Sequence, residues 1–348
     1  MPKKLPLLLI LASFIFFGFS LPGCLSKKQA GVWRSDDSGE TWQAKVQIDA
    51  KKTISGASVL KFVFDPADSQ KIYLGTDGQG MYLSRNNGDT WEKTEIASGS
   101  VWDIAVDADD PKIIYVAVFA SKLGRIYKTE DSGDNWEIIF SDAIANLPIY
   151  NILIDWYNHE NLIITTGWGG VLKSGDQGKT WTKLYELQAP AGRLQMDEEN
   201  SQIMWYVTPG QGIFKTEDSG ATWQEIALSG LKDFKGGLNI YELERDKQNH
   251  TFYLATSYGL LTSNDGGVTW APIQTLAPFA SLPILAAAVN PKDSDELLFV
   301  AGDTVYKSVN QSDSWQVRRV YTGQAIRAIK YHPNDPQKIY LGVRAAKK

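Results

Sequence analysis

Cleaving a glycosidic bond takes two carboxylates in one cleft, and this 348-residue sequence, with 40 Asp and Glu, has acids in quantity. Their distribution argues for another job. Eight Asp recur at equivalent positions of a repeated pattern, either inside a Ser/Thr-rich turn (Asp37, Asp131, Asp176, Asp218, Asp265) or at the head of a second turn (Asp65, Asp107, Asp155), and a residue that recurs with the repeat serves the fold. The three His (His159, His250, His332) fall in unrelated turns and there is a single Cys, so neither a metal cluster nor a nucleophile–His relay can be assembled, and no metal or other cofactor is expected. No HExxH, GxSxG, P-loop or dinucleotide-binding pattern occurs. A formal charge of −5 without clustered Lys/Arg excludes a general nucleic-acid binder.

The single Cys, Cys24, points to a different chemistry. Lys3 and Lys4 precede an almost wholly apolar run from Leu5 to Phe19, followed by Leu21-Pro22-Gly23-Cys24. A basic start, a short apolar stretch and small residues before a cut site read as an export signal. The Leu21 to Cys24 segment resembles the lipobox of bacterial lipoproteins, with Pro22 an uncommon filler. That resemblance implies a signal peptide over 1–23, a lipidated Cys24 with a short tether over 24–30, and a protein held by acyl chains on the outer side of a bacterial membrane, at the periplasmic face or the cell surface. An ordinary secretory signal and an uncleaved anchor helix are the alternatives.

The remainder must supply the scaffold. With 12 Trp, 15 Tyr, 13 Phe and 30 Gly the composition favours pleated surfaces and tight turns, hence an all-β protein. One pattern recurs seven times, a Ser/Thr, then Asp or Asn, then Gly, then Trp. Its acid and Trp positions are Asp37/Trp42, Asn86/Trp91, Asp131/Trp136, Asp176/Trp181, Asp218/Trp223, Asp265/Trp270 and Asn310/Trp315, with successive Trp 42 to 49 residues apart. That period suits a four-stranded propeller blade. Each motif follows a short β run and precedes another, so it reads as a hairpin turn in which the carboxylate accepts turn amides, Gly supplies a positive φ and Trp covers the corner with a large apolar face. Between motifs lies a second hairpin, often turning on Asp, Asn or His followed by Pro, as at Asp65-Pro66, Asn290-Pro291 and His332-Pro333. The chain opens with a motif hairpin and ends with a plain one. Residues 31–348 are therefore expected to form a single seven-bladed β-propeller of antiparallel blades, closed by pairing the two ends, which hides the sheet edges.

The seven motifs resemble the BNR, or Asp-box, repeat of sialidases, sortilin-type receptors, xyloglucan-cleaving glycosidases and the photosystem II assembly propellers. Asn86 and Asn310 replace the Asp, and Ser312 replaces the Gly of the last box, so those turns are expected to be weaker. A sialidase-like site implies an arginine cluster and a Tyr/Glu pair, which this sequence does not offer, and xyloglucan-cleaving enzymes imply two propellers across a cleft.

Recognition is expected where blades differ. Aligning the inner strands on Asp65, Asp107, Asp155, Asp197, Glu244, Asn290 and His332 puts Lys61, Asp103, Asn151 and Arg193 four positions earlier, on one face by strand alternation, with Glu242 two earlier in its blade. Trp102, Tyr150 and Arg327 sit near the channel mouth, and Trp168 in a neighbouring loop. These eight residues other than Glu242 form a candidate rim for a protein or peptide partner, or for a glycan, since aromatic and Arg side chains anchor interfaces. Two functions stay open: a non-catalytic, lipid-anchored binding or assembly scaffold, and an extracytoplasmic glycan-binding or glycan-hydrolysing propeller.

Overall fold

The computed structural model describes residues 29–187, 192–276 and 278–345; Cys24 and the signal region lie outside them. Seven four-stranded antiparallel sheets are arranged as blades. The inner strands are Val59–Phe64, Ser100–Val106, Ile149–Ile154, Arg193–Met196, Ile240–Arg245, Ala286–Asn290 and Ile326–Tyr331 for blades 1 to 7. The expected closure is present: Gly31–Ser35 pairs with Ile339–Val343, register Gly31↔Val343, so blade 7 is built from both ends of the chain. The one described helix is the short Leu228–Lys232.

Second strands such as Ile72–Thr76, Leu162–Thr166 and Met204–Thr208 are buried at every position, because adjacent blades cover both of their faces. Seven apolar clusters form, each drawing on two neighbouring blades; Tyr73 and Met81 of blade 1, for example, pack with Val101 and Ile104 of blade 2. The core is thus a ring of junctions. Several outermost strands are only two residues long and polar, as at Glu92–Lys93 and Gln224–Glu225, which blunts the exposed edges.

The polar part of the motif turns has the expected chemistry. In the first, the Ser35 hydroxyl donates to Asp37 Oδ1 (2.7 Å) and accepts the Gly39 N–H (2.8 Å), while Asp37 accepts both the N–H (2.8 Å) and the hydroxyl (2.6 Å) of Thr41. The turn needs two consecutive left-handed residues, Ser38 at φ 58° and Gly39 at 93°. At Asn86 the amide Nδ2 donates to the Thr90 hydroxyl instead, and the Ser84–Asn86 bond lengthens to 3.0 Å. These turns and those between first and second strands lie on one side of the ring, the box face. The remaining loops lie on the other, the mouth face, where the inner strands begin.

Each of the seven apolar clusters takes one of the motif tryptophans, and Trp91 and Trp270 are buried. Trp42, Trp136, Trp181, Trp223 and Trp315 are half-buried. Their polar edge also works. The indole N–H groups of Trp136, Trp181, Trp223 and Trp270 donate to the carbonyl of the Gly in their own box, at 2.9–3.0 Å, so each ring clamps its turn as well as shielding it. Trp91 and Trp315, which belong to the two Asn boxes, reach out of the turn instead and donate to Lys45 O (2.8 Å) and Gln274 O (3.0 Å) of the preceding segment. The buried Trp42 indole N–H has no partner.

Candidate ligand-binding cavity

Inner strands of blades 1, 2, 3, 5 and 7 each carry a β-bulge one or two residues after they begin. Register shifts between Val59/Lys61, Val101/Asp103, Ile149/Asn151, Ile240/Glu242 and Ile326/Ala328, leaving one extra residue in each. A bulge re-aims the side chain it carries. Here the extra residues are Leu60, Trp102, Tyr150, Tyr241 and Arg327, and all five line a single cavity of about 410 Å³ at the mouth face. Lys61, Asn151, Arg193 and Glu242 also line it, with Glu244 and Lys330. A second cavity, about 420 Å³, opens on the box face and shares Phe62, Glu244 and Lys330 with the first, so the Glu244–Lys330 pair stands between the two. None of the seven motif tryptophans lines either cavity, in keeping with a structural role.

The alignment of blade 5 requires correction. Its turn acid is Asp246, whose Oδ1 accepts the Gln248 N–H at 2.9 Å, as Asp65, Asp107 and Asp155 accept in their own turns. Asn290 and His332 do the same work in blades 6 and 7. Glu242 therefore stands at the level of Lys61, Asp103, Asn151 and Arg193, and Glu244 is an inward-facing residue of the channel.

At that level several side chains stitch blades together. Asp103 Oδ2 accepts the Ile152 N–H (3.1 Å) and the Asn151 amide, Asn151 Oδ1 accepts the Leu194 N–H (2.6 Å), and Glu242 Oε2 accepts the Ala287 N–H (3.2 Å). Lys61 closes on Asp103 at 2.7 Å. Asp103, at 2% exposure, thus sits beneath the rim, and Asn151 is held the same way. Trp168 does not line the cavity; its indole N–H donates to Asp142 at 3.0 Å and Lys183 lies 6.0 Å above its ring, so it fastens two loops.

What remains at the mouth is an aromatic shelf and two unpaired cations. Trp102 and Tyr150 meet edge to face, ring centroids 4.9 Å apart, and the buried Trp102 indole N–H has no partner among the described residues. The guanidiniums of Arg193 and Arg327 make no hydrogen bond or ion pair among the described residues. Burial, then Arg344, lowers the pKa of Arg327. Tyr241 joins the shelf, its hydroxyl 3.0 Å from Ser257 Oγ. Tyr241 and Arg344 escaped the sequence reading, although Tyr241-Glu242 repeats the aromatic–polar pairing of Trp102-Asp103 and Tyr150-Asn151.

The channel acids are engaged. Lys330 Nζ lies 2.9 Å from Glu244 and 3.6 Å from Glu242. Burial opposes the ammonium, but Glu244 and then Glu242 hold its pKa above the ordinary lysine value. Burial pushes the Glu242 carboxyl up, Lys330 pulls it back, and Glu244 adds to the rise. Two carboxylates on one face thus share a single ammonium, which draws both toward Lys330.

Seven blades cornered by Asp-box turns around a lined central cavity make this chain a seven-bladed Asp-box β-propeller. The family model described as Sortilin-Vps10 (sortilin, neurotensin receptor 3) matches residues 30–165. Xyloglucanase Xgh74A of Acetivibrio thermocellus is 28% identical over 177 residues, 43% of this chain and 20% of its own length. Among solved structures, the GH74 enzyme of Niastella koreensis superposes with a TM-score of 0.66 at 17% identity, over 83% of this chain and 51% of the enzyme. YCF48 bound to a D1 peptide superposes with a TM-score of 0.63 at 15% identity, over 83% of this chain and 94% of YCF48. The chain thus spans 20% of Xgh74A and 51% of the GH74 enzyme. Structural likeness at such identities establishes the shared fold.

Proposed function

We propose that this protein is a non-catalytic propeller that binds a segment of a partner protein at its mouth-face cavity while tethered to the outer side of a bacterial membrane through Cys24. The observation that carries the reading is the shelf of Trp102 and Tyr150 in one cavity with two guanidiniums that no described residue pairs. An extended peptide brings apolar side chains for the rings and a carboxylate for Arg. YCF48, which matches nearly end to end, is bound to a peptide in its solved structure. A glycan-active reading is favoured by one observation, the Glu242/Glu244 pair in the same cavity, and by the likeness to xyloglucanases.

One experiment separates them. Full-length protein and the Trp102→Ala/Arg193→Ala variant are used to capture partners from the native membrane, and both are assayed for release of xyloglucan oligosaccharides beside Glu242→Gln. Partners lost from the double variant, without hydrolysis, support the binding reading. Identical partners for both proteins overturn the mouth site, and oligosaccharide release that disappears in Glu242→Gln overturns the non-catalytic assignment.

A further inference from the structure

We infer that the mouth face turns toward the lipid bilayer, so that a partner segment reaches its cavity along the membrane surface, and that its connecting loops are a membrane-docking surface. The inference rests on the anchored reading above and adds an orientation to it. The described chain starts at Gln29, whose N–H donates to Thr322 O (3.1 Å), and Gly31 pairs with Val343, which also pairs with Ile326 beside Arg327 of the cavity. The chain therefore leaves the ring at the mouth face. From Cys24 to Gln29 five residues reach at most about 18 Å. Turning the box face to the lipid would require the tether to pass the edge of the ring and then run the length of a strand such as Gly31–Ser35, about 17 Å at roughly 3.3 Å per residue.

Charge and exposed apolar surface favour the same orientation. The turns of the box face carry 24 Asp/Glu against 7 Lys/Arg, whereas the loops of the mouth face carry 6 Asp/Glu and, with the Lys45 ammonium turned to Asp89 of the box face at 2.8 Å, 5 Lys/Arg, and Arg344 follows the last strand there. An anionic leaflet repels the first face and not the second. On the mouth-face loops Ile144, Leu276, Leu282 and Tyr321 are 45%, 60%, 51% and 65% exposed, and the stacked Tyr258–Phe279 pair stands in the same quarter as Leu276 and Leu282. Apolar side chains on loop tips beside Lys232 and Lys235 have the composition of an interfacial contact. Trp156, Tyr157, Val268 and Val309 are also exposed, but they sit among the acids of the box face.

Full-length protein purified from bacterial membranes is reconstituted into phosphatidylethanolamine/phosphatidylglycerol vesicles containing a nitroxide-labelled lipid, with a fluorophore on Leu282→Cys or on Val309→Cys. Both sites are exposed, so neither substitution disturbs the core. The parent chain controls for labelling at Cys24. A several-fold loss of emission at position 282 with none at 309, in protein that floats with the vesicles, supports the orientation. Equal quenching at both sites, or none at 282 in floating protein, overturns the docking surface and leaves the anchor standing. Protein that stays behind when the vesicles float shows that the anchored reading has failed, and the orientation with it.

Discussion

The outer corners and the inner wall of the ring use the same bond, a side-chain oxygen accepting a backbone N–H, with different reach. At the corners acceptor and donor are four residues apart in one turn, as in Asp176 with Thr180 and Asp218 with Thr222, both 2.8 Å, and the arrangement recurs in every blade. On the wall they belong to neighbouring blades, as in Asn151 with Leu194; four places before the turn head Asp103, Asn151 and Glu242 supply such an acceptor, and Ala286 and Ala328 hold the corresponding places in blades 6 and 7. A turn with two left-handed residues cannot form without its local bonds, so the corner repeats. A blade junction is already held by its apolar cluster, so the wall position is free to vary, and its variants are partly stitches and partly unpaired cations.

The sharpest way to break this comparison is to remove a corner and a wall residue of similar prominence. Trp91 is 2% exposed, packs with Ile72, Leu74 and Tyr340 across the closing junction and donates to Lys45 O at 2.8 Å. Trp91→Ala should cost about 3–5 kcal/mol, whereas Arg193→Ala should stay within roughly 0.5 kcal/mol. Urea unfolding of the full chain in detergent measures both. Comparable losses would mean that Arg193 is part of the scaffold.

A smaller effect tests the stitches. Asn151→Leu keeps the volume but leaves the Leu194 N–H without its acceptor and removes a donor to Asp103, which should cost about 1–3 kcal/mol. An unchanged urea midpoint would return Asn151 to the set of residues free to bind a ligand.

The fold was legible because the corner is a local device repeated seven times, so blade number, hairpin alternation and closure all followed from counting. Lys61 and Arg193 share a face because a period of two fixes the face of a strand, whereas Trp102, Tyr150 and Arg327 line the same cavity because bulges re-aim them. What failed depends on register or on neighbours distant in sequence. Glu242, Glu244 and Asp246 are spaced by two and share a face, so spacing could not say which acid heads the turn; the pairing of Arg245 with Phe252 decides it. The bulges were equally hidden, because one extra residue leaves no mark in an apolar–polar alternation. Seven Trp at one repeat position looked alike, yet how deeply each is covered depends on the neighbouring blade, as Trp91 beneath Lys45 and half-buried Trp181 show. Trp168 resembled the shelf residues in type but stands one loop away, fixed by Asp142. Asp103 and Asn151 were legible as inward-facing, and their partners were not, because those lie a blade away in sequence.

The smallest effect sharpens the corner itself. Hydrogen bonds from Thr180, Thr222 and Thr269 hold Asp176, Asp218 and Asp265 at pKa values of about 2, against an ordinary 3.8, although partial burial of Asp265 opposes the drop. A carboxylate held lower in the folded protein than in the unfolded chain contributes stability above the unfolded value, and loses it as pH falls through the folded value. The corners should therefore weaken between about pH 4 and pH 2, while Asn86 and Asn310, which do not titrate, keep theirs. Asn86→Asp/Asn310→Asp adds two titrating corners whose Thr90 and Ser314 hydroxyls can turn to donate. The double variant should unfold at a slightly higher urea concentration than the parent at pH 7 and lose that margin by pH 2. A margin that persists at pH 2 would show that the carboxylates hold these turns by something other than their charge.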